Sequence, residues 1–210
     1  MASRTSSTKP SRRGTQVTAR DARKRESHER ILKSARRIAR REGLRAASVP
    51  RVMSGAGLTA GGFYAHFPSK TAMDIEVIRT LLGGIPRALP GEESLASLEW
   101  VRRSLSQYLS VEHRDNANGC PYPVNLSELA AAAPEVRREF GAAFDTRVHA
   151  LEAHMAPALG SSVRERALAT MALKIGGLLL ARASRGHSVS EEILEACKHW
   201  ALPEFAEQGH

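Results

Sequence analysis

Gly55 to Lys70 reads GAGLTAGGFYAHFPSK, and the fold turns on whether this is a phosphate loop or a turn leading into a short helix. A dinucleotide fingerprint needs its glycines spaced GxGxxG after a strand, with an acidic residue about 20 positions on to hold a ribose. Gly55, Gly57 and Gly61 have the wrong last spacing, and the preceding VPRVMSGA is not a β-branched run. Asp74 and Glu76 lie near the required distance but inside a helical pattern. The second reading therefore stands: Gly57 makes a turn, Thr59 caps a short helix from Ala60 to His66, and Pro68 ends it.

Outward from this stretch the chain reads as helix throughout. Ile31, Leu32, Ala35, Ile38 and Ala39 share one face of a helix starting near Asp21, with Arg and Lys on the other face and Gly43 as its stop. Ser48 is a candidate cap for a second helix whose first turn tolerates Pro50. Ser69 caps a fourth, Lys70 to about Leu82, with Met73, Val77 and Leu81 in register. Four short helices, two joined by a glycine turn, constitute a helix-turn-helix unit. Downstream, Ser94–Ser110 is a helix, HRDNANGCPYP (residues 113–123) a loop, and Val124–Ala132, Pro134–Met155, Val163–Ser184 and Glu191–Leu202 further helices, with Ser162 and Ser190 as caps. The expected class is all-α, with a basic arm at 1–20, a DNA-binding domain at 21–83 and a helical ligand-binding and dimerisation domain at 84–210.

Charge supports this division. Of a net +9, residues 1–83 carry 18 Lys/Arg against 6 Asp/Glu while residues 84–210 carry 13 against 16, so the whole positive excess belongs to the first block. A basic block joined to a mildly acidic one suits a polyanion-binding module attached to a module with another task. Residues 1–20 hold almost no apolar side chains and are expected to stay disordered. No run approaches the roughly 20 apolar residues of a membrane span, and the amino terminus lacks a secretory signal's apolar core. A cytoplasmic protein is the expectation. Cys120 and Cys197 have no metal-binding spacing, so neither metal, cofactor nor disulfide is indicated.

The short helix meets the requirements of DNA recognition. Ala60, Gly61 and Gly62 let backbone approach bases and phosphates; Thr59 can reach a phosphate or a thymine methyl. Tyr64, His66 and Lys70 place an OH, an imidazole and an ammonium around its end, while Phe63 and Phe67 anchor it to a core.

ASVPRVMSGAGLTAGGFYAHFPSKTAM, Ala47–Met73, resembles the helix-turn-helix of the tetracycline-repressor (TetR) family of bacterial transcription regulators. The resemblance implies that Ser48, Thr59, Ala60, Gly61, Gly62, Tyr64, His66 and Lys70 meet double-stranded operator DNA, with Tyr64 and Lys70 on phosphates. Pro50 departs from the usual pattern. NGCPYPVNLSELAAAAPEVRREF, Asn118–Phe140, is similar to one branch of the family with a GCP loop. By the same resemblance the chain is a homodimeric, ligand-released repressor whose last two long helices pair with those of a second copy. Leu168, Met171, Ile175, Leu178 and Leu179 form the candidate interface, and Gly176 and Gly177 allow close helix approach.

Candidate contacts for an unidentified small-molecule effector are Trp100, Leu105, Tyr108, Cys120, Tyr122, Phe140, Phe144, His149 and Met171. Cys120, with His113 and Arg114 close in sequence, is also a candidate thiol sensor of oxidants or electrophiles. Two rival readings are a non-specific nucleic-acid binder driven by the basic arm and an enzyme using Cys120 with His113, although no third catalytic group accompanies that pair.

Overall fold

The computed structural model describes residues 19–82, 97–116, 118–159 and 163–201, all helix and connecting turns. Nine α-helices and one 3-10 helix are described: α1 (Ala19–Glu42), α2 (Val49–Gly55), the 3-10 helix (Ala60–Ala65), α3 (Lys70–Leu81), α4 (Ser97–Tyr108), α5 (Val111–Asp115), α6 (Tyr122–Ala130), α7 (Pro134–Leu159), α8 (Val163–Ala183) and α9 (Val189–Ala201). Most of the expected arm lies outside the described residues, as do residues 94–96, Ser162 and Leu202; Ala19 and Arg20 of that arm already belong to α1.

The N-terminal unit forms where apolar spacing dictates. α1 buries Ile31, Leu32, Ala35, Ile38 and Ala39, and ends where Gly43 takes φ +93°, a conformation glycine adopts without steric cost. Gly57 reverses the chain with φ +67°. Phe63 and Phe67, both almost fully buried, stack with ring centroids 5.4 Å apart; the 3-10 helix packs against α2, and Phe67 against His28 of α1. Ser69 caps α3 as expected, its Oγ accepting the Ala72 N–H at 3.0 Å.

Three expected caps and one loop are corrected. Ser48 and Thr59 occupy N-cap positions, but neither side chain makes a capping hydrogen bond. Pro50 removes one N–H that Ser48 would cap, and the 3-10 turn is closed by backbone instead, Gly62 N–H to the Thr59 carbonyl at 3.1 Å. Ser190 is not a cap either. It lies inside α9, buried, donating to the Ala181 carbonyl at 2.7 Å and accepting from Arg114 Nη1 at 2.9 Å. The 113–123 segment is shorter as a loop than expected, because α5 takes its first residues and α6 its last.

In the second unit α7, α8 and α9 pack together, with α4 against α7. Gly177 sits where α8 meets α9: an added Cβ would lie 2.6 Å from Cys197 Sγ. The two units meet where α1 touches α6 and α3 touches α7. Arg79 grips Glu139 with two 2.9 Å bonds, and Asn125 Nδ2 donates to the Ala39 carbonyl at 2.9 Å. The Leu82 carbonyl, just past α3, receives Tyr122 OH at 3.0 Å and Arg147 Nε at 2.6 Å. No described helix is long and apolar enough to cross a membrane.

Candidate nucleic-acid interface and effector cavity

The small residues of the quoted stretch are mostly accessible. Thr59, Ala60, Gly61 and Tyr64 are exposed, and Ser48, Gly62, His66 and Lys70 half-buried around them. Tyr64 is 71% exposed although it follows fully buried Phe63, so this short helix separates anchor from presented ring between adjacent positions. Gly61 has nothing within 4 Å of an added Cβ.

His66 and Lys70 are more engaged than the others. Lys70 Nζ lies 2.7 and 2.8 Å from the two Asp74 carboxylate oxygens, and 3.5 Å from the Leu44 carbonyl. Burial raises the Asp74 pKa, opposed by the Lys70 hydrogen bond. His66 keeps a buried Nδ1 with no hydrogen-bond partner among the described residues, and its ring centroid is 6.3 Å from His28. Burial, then the charge of His28, lowers its pKa. His28 itself stacks on Phe67 at 4.5 Å and reaches Glu76 at 2.9 Å, tying α1 to α3 behind the presented surface.

The second site is a cavity of about 340 Å³ beneath the loop that carries Cys120. It brings together four of the nine candidate effector contacts: Tyr108, Cys120, Tyr122 and Met171. The other five lie elsewhere. Leu105 is core, Phe140 and Phe144 stack at 5.8 Å beside Tyr122, Trp100 stacks on His154 at 3.8 Å, and exposed His149 pairs with Asp145 at 3.3 Å. An apolar periodicity identifies which helix face is buried but not which buried residues border a void.

Sequence reasoning missed the cations of this cavity. Lys174 from α8, Arg147 from α7 and Arg40 from α1 all line it. Lys174 left a readable signal, standing alone in the apolar run MALKIGGLLLA; Arg147 did not, being one of many arginines. Lys174 Nζ lies 4.4 Å from the Tyr108 ring centroid, and Arg147 Cζ 5.5 Å from that of Tyr122. Burial brings the Lys174 pKa down to about 8. Tyr122 is pushed up to about 12, again mainly by burial.

The loop itself is held by polar bonds. Tyr108 OH donates to Cys120 Sγ at 2.8 Å. His113 Nε2 accepts the Cys120 N–H at 3.0 Å, so Nδ1 carries the proton and donates to the Tyr108 carbonyl at 2.6 Å. Burial lowers the His113 pKa, consistent with this neutral form. Arg182 donates to the carbonyls of His113, Arg114 and Cys120, and Arg40 donates to that of Gly119 at 3.1 Å. Arg114, expected beside the thiol, instead binds Asp115 and Ser190.

The stripe on α8 divides. Met171, Ile175 and Leu178 are buried within the chain, whereas Leu168 and Leu179 are 41% and 42% exposed and Leu180 is 57% exposed. Gly177 serves the contact with α9, while an added Cβ on Gly176 would meet nothing.

Residues 31–77 match the family described as Bacterial regulatory proteins, tetR family. A comparison with curated proteins found no match. Among solved structures, the reduced form of NemR from E. coli is similar at 16% identity and TM-score 0.67, covering 84% of this chain and 95% of that one. A TetR transcriptional regulator from Legionella pneumophila shares 22% identity at TM-score 0.63, covering 82% and 94%. FadR from Bacillus subtilis, in complex with stearoyl-CoA, shares 15% at 0.58, covering 81% and 97%. At these identities the likeness is one of fold, and it extends over 81–84% of this chain.

Proposed function

We propose that this chain, whose residues 31–77 form a TetR-family helix-turn-helix domain, is a homodimeric transcriptional repressor released from its operator by a small molecule. The observation that carries this reading is the pair of bonds on Leu82. Tyr122 and Arg147 line the cavity and also hold the carbonyl that follows α3 of the DNA-binding unit. A ligand that recruits either side chain changes the support of α3, and Arg40 gives the cavity a second contact with that unit through α1. Such a ligand shifts DNA affinity only so far as it prefers one arrangement over the other.

Dimerisation is assigned to the outward residues of the α8–α9 surface. Leu168, Leu179, Leu180 and Trp200 are exposed apolar side chains on these two helices, and Gly176 leaves room for a second copy's helix. Two helix-turn-helix units related by a two-fold axis read a palindrome with half-sites about one helical turn or more apart. FadR's bound stearoyl-CoA illustrates a small-molecule complex on this fold, but a cavity of about 340 Å³ suits a much smaller molecule.

The test is a mobility-shift assay against genomic fragments in excess competitor DNA, followed by effector addition. Selective retention of a palindromic fragment supports the reading, and loss of all selectivity favours non-specific nucleic-acid binding. Replacing Lys70 by Met should weaken binding to all sequences and flatten the salt dependence by about one unit. An unchanged slope removes Lys70 from the phosphate contacts and leaves it as the partner of Asp74.

A second reading rests on the Tyr108–Cys120 hydrogen bond at the cavity wall. Modification of Sγ by an electrophile or oxidant breaks that bond and crowds the cavity, making Cys120 the sensing group. Cys120→Ser then abolishes DNA release by quinones or peroxide. Release that persists in the mutant eliminates this reading.

A further inference from the structure

The charges around the cavity specify what it accepts. Arg40, Arg147 and Lys174 line it, and among the described residues no Asp or Glu does. Arg40, Arg147 and Lys174 are half-buried, and charges drawn even partly from water are ordinarily paired. Here Arg40 and Arg147 spend hydrogen bonds on the Gly119 and Leu82 carbonyls, which neutralise no charge. Lys174 Nζ has the Tyr108 ring as its described contact. We propose that the cavity binds a small organic carboxylate, whose charge is met by Lys174 and Arg147 and whose apolar body packs on Tyr108, Tyr122, Met171 and Ile175. The inference rests on the reading of this cavity as the effector site and names its ligand class.

Three features support a carboxylate on a compact apolar body over other occupants. A cationic ligand would add to the uncompensated positive charge. A bare inorganic anion would leave the aromatic and aliphatic walls without a partner. The volume of about 340 Å³ falls at the small end of ligand cavities, suited to a single aromatic ring or a short acyl chain. Burial lowers the Lys174 pKa, with Cys120 opposing and the nearby Arg147 charge adding to it, and a bound carboxylate would offset that penalty by pairing with the ammonium. A carboxylate that recruits Arg147 draws it from the Leu82 carbonyl, linking ligand charge to the support of α3.

The test uses the full-length protein and matched pairs of probes: benzoate and benzamide, phenylacetate and phenylacetamide, hexanoate and hexanamide. Thermal-shift measurements at constant ionic strength select the best pair, and calorimetry then gives affinities. At least one carboxylate should bind about tenfold or more tighter than its amide, the scale of one charge-assisted hydrogen bond. Lys174→Met should erase that preference and Lys174→Arg retain it; the melting temperatures of both variants establish that they fold. Carboxylate affinity should also fall between about pH 7 and about pH 9 as Lys174 loses its proton, a dependence absent in Lys174→Met. Amides binding as well as carboxylates, no ligand in the panel binding, or a preference that survives Lys174→Met would each overturn the proposal. A separate mobility-shift assay on the unaltered protein distinguishes the two levels. Carboxylate selectivity without effect on DNA binding sinks the effector reading alone, and ligand-sensitive DNA binding without carboxylate selectivity sinks this inference alone.

Discussion

Tyr122 donates its hydroxyl to the Leu82 carbonyl at 3.0 Å across 40 positions of sequence, joining the wall of the cavity to the end of α3. Because Arg147 donates to the same oxygen, Tyr122→Phe does not leave that acceptor bare. Its expected cost is at the low end for a hydrogen bond, about 0.5–1 kcal/mol in urea denaturation. The larger effect should appear in coupling: the mutant should bind the operator but require more effector for release. A mutant with unaltered effector response would remove this bond from the signalling route.

Phe63 and Tyr64 should separate stability from recognition. Phe63→Ala empties a fully buried site against Phe67 and should cost about 3–5 kcal/mol. Tyr64→Ala alters an exposed ring and should leave stability within about 0.5 kcal/mol while lowering operator affinity. Denaturation curves and operator titrations on the same two proteins check both halves.

Acid should loosen the Cys120 loop. The neutral His113 ring accepts the Cys120 N–H, and burial holds its pKa below the ordinary 6.5. In the window between that lowered value and 6.5 the unfolded chain binds the proton and the folded chain does not. Stability from this group is therefore complete above about pH 6.5 and is lost as pH falls through the folded pKa. His66, also lowered, titrates in the same sense. Denaturation of the unaltered protein and His113→Asn at several pH values isolates the loop: the mutant should show the shallower decline.

Neighbouring glycines on α8 should respond oppositely. Gly177→Ala places a methyl 2.6 Å from Cys197 Sγ, and such overpacking costs about 1–3 kcal/mol. Gly176→Ala meets nothing and should gain up to about 1 kcal/mol of helix propensity within one chain. If Gly176 lies under a second copy's helix, the same change weakens the dimer. Denaturation together with sedimentation at several concentrations measures the two effects separately.

The sequence was most legible where local chemistry and apolar spacing agree. The α1 stripe, Gly43, Gly57, Ser69 and the buried pair Phe63 and Phe67 could all be read from neighbouring residues. Thr59 was misread as a side-chain cap because a 3-10 turn closes through backbone. Ser190 was misread because a buried serine bonding two other elements has the same local sequence as a cap. The cavity was half legible: Tyr108, Cys120, Tyr122 and Met171 belong to it, but its cations come from three helices far apart in the chain. Only Lys174, a charge inside an apolar run, announced itself.

The 3-10 geometry of Ala60–Ala65 bears on how the proposed DNA-contacting surface can change its preference. With three residues per turn, side chains three apart eclipse one another, so Gly61 lies in line with Tyr64. Six residues then extend about 12 Å, against about 9 Å for the same number in an α-helix. An added side chain at Gly61 enters open space and shares a ridge with the most exposed aromatic of the unit. On the proposed DNA-binding reading, a substitution at Gly61 exchanges close backbone approach for a side-chain contact beside Tyr64, while leaving the packed side of the helix undisturbed.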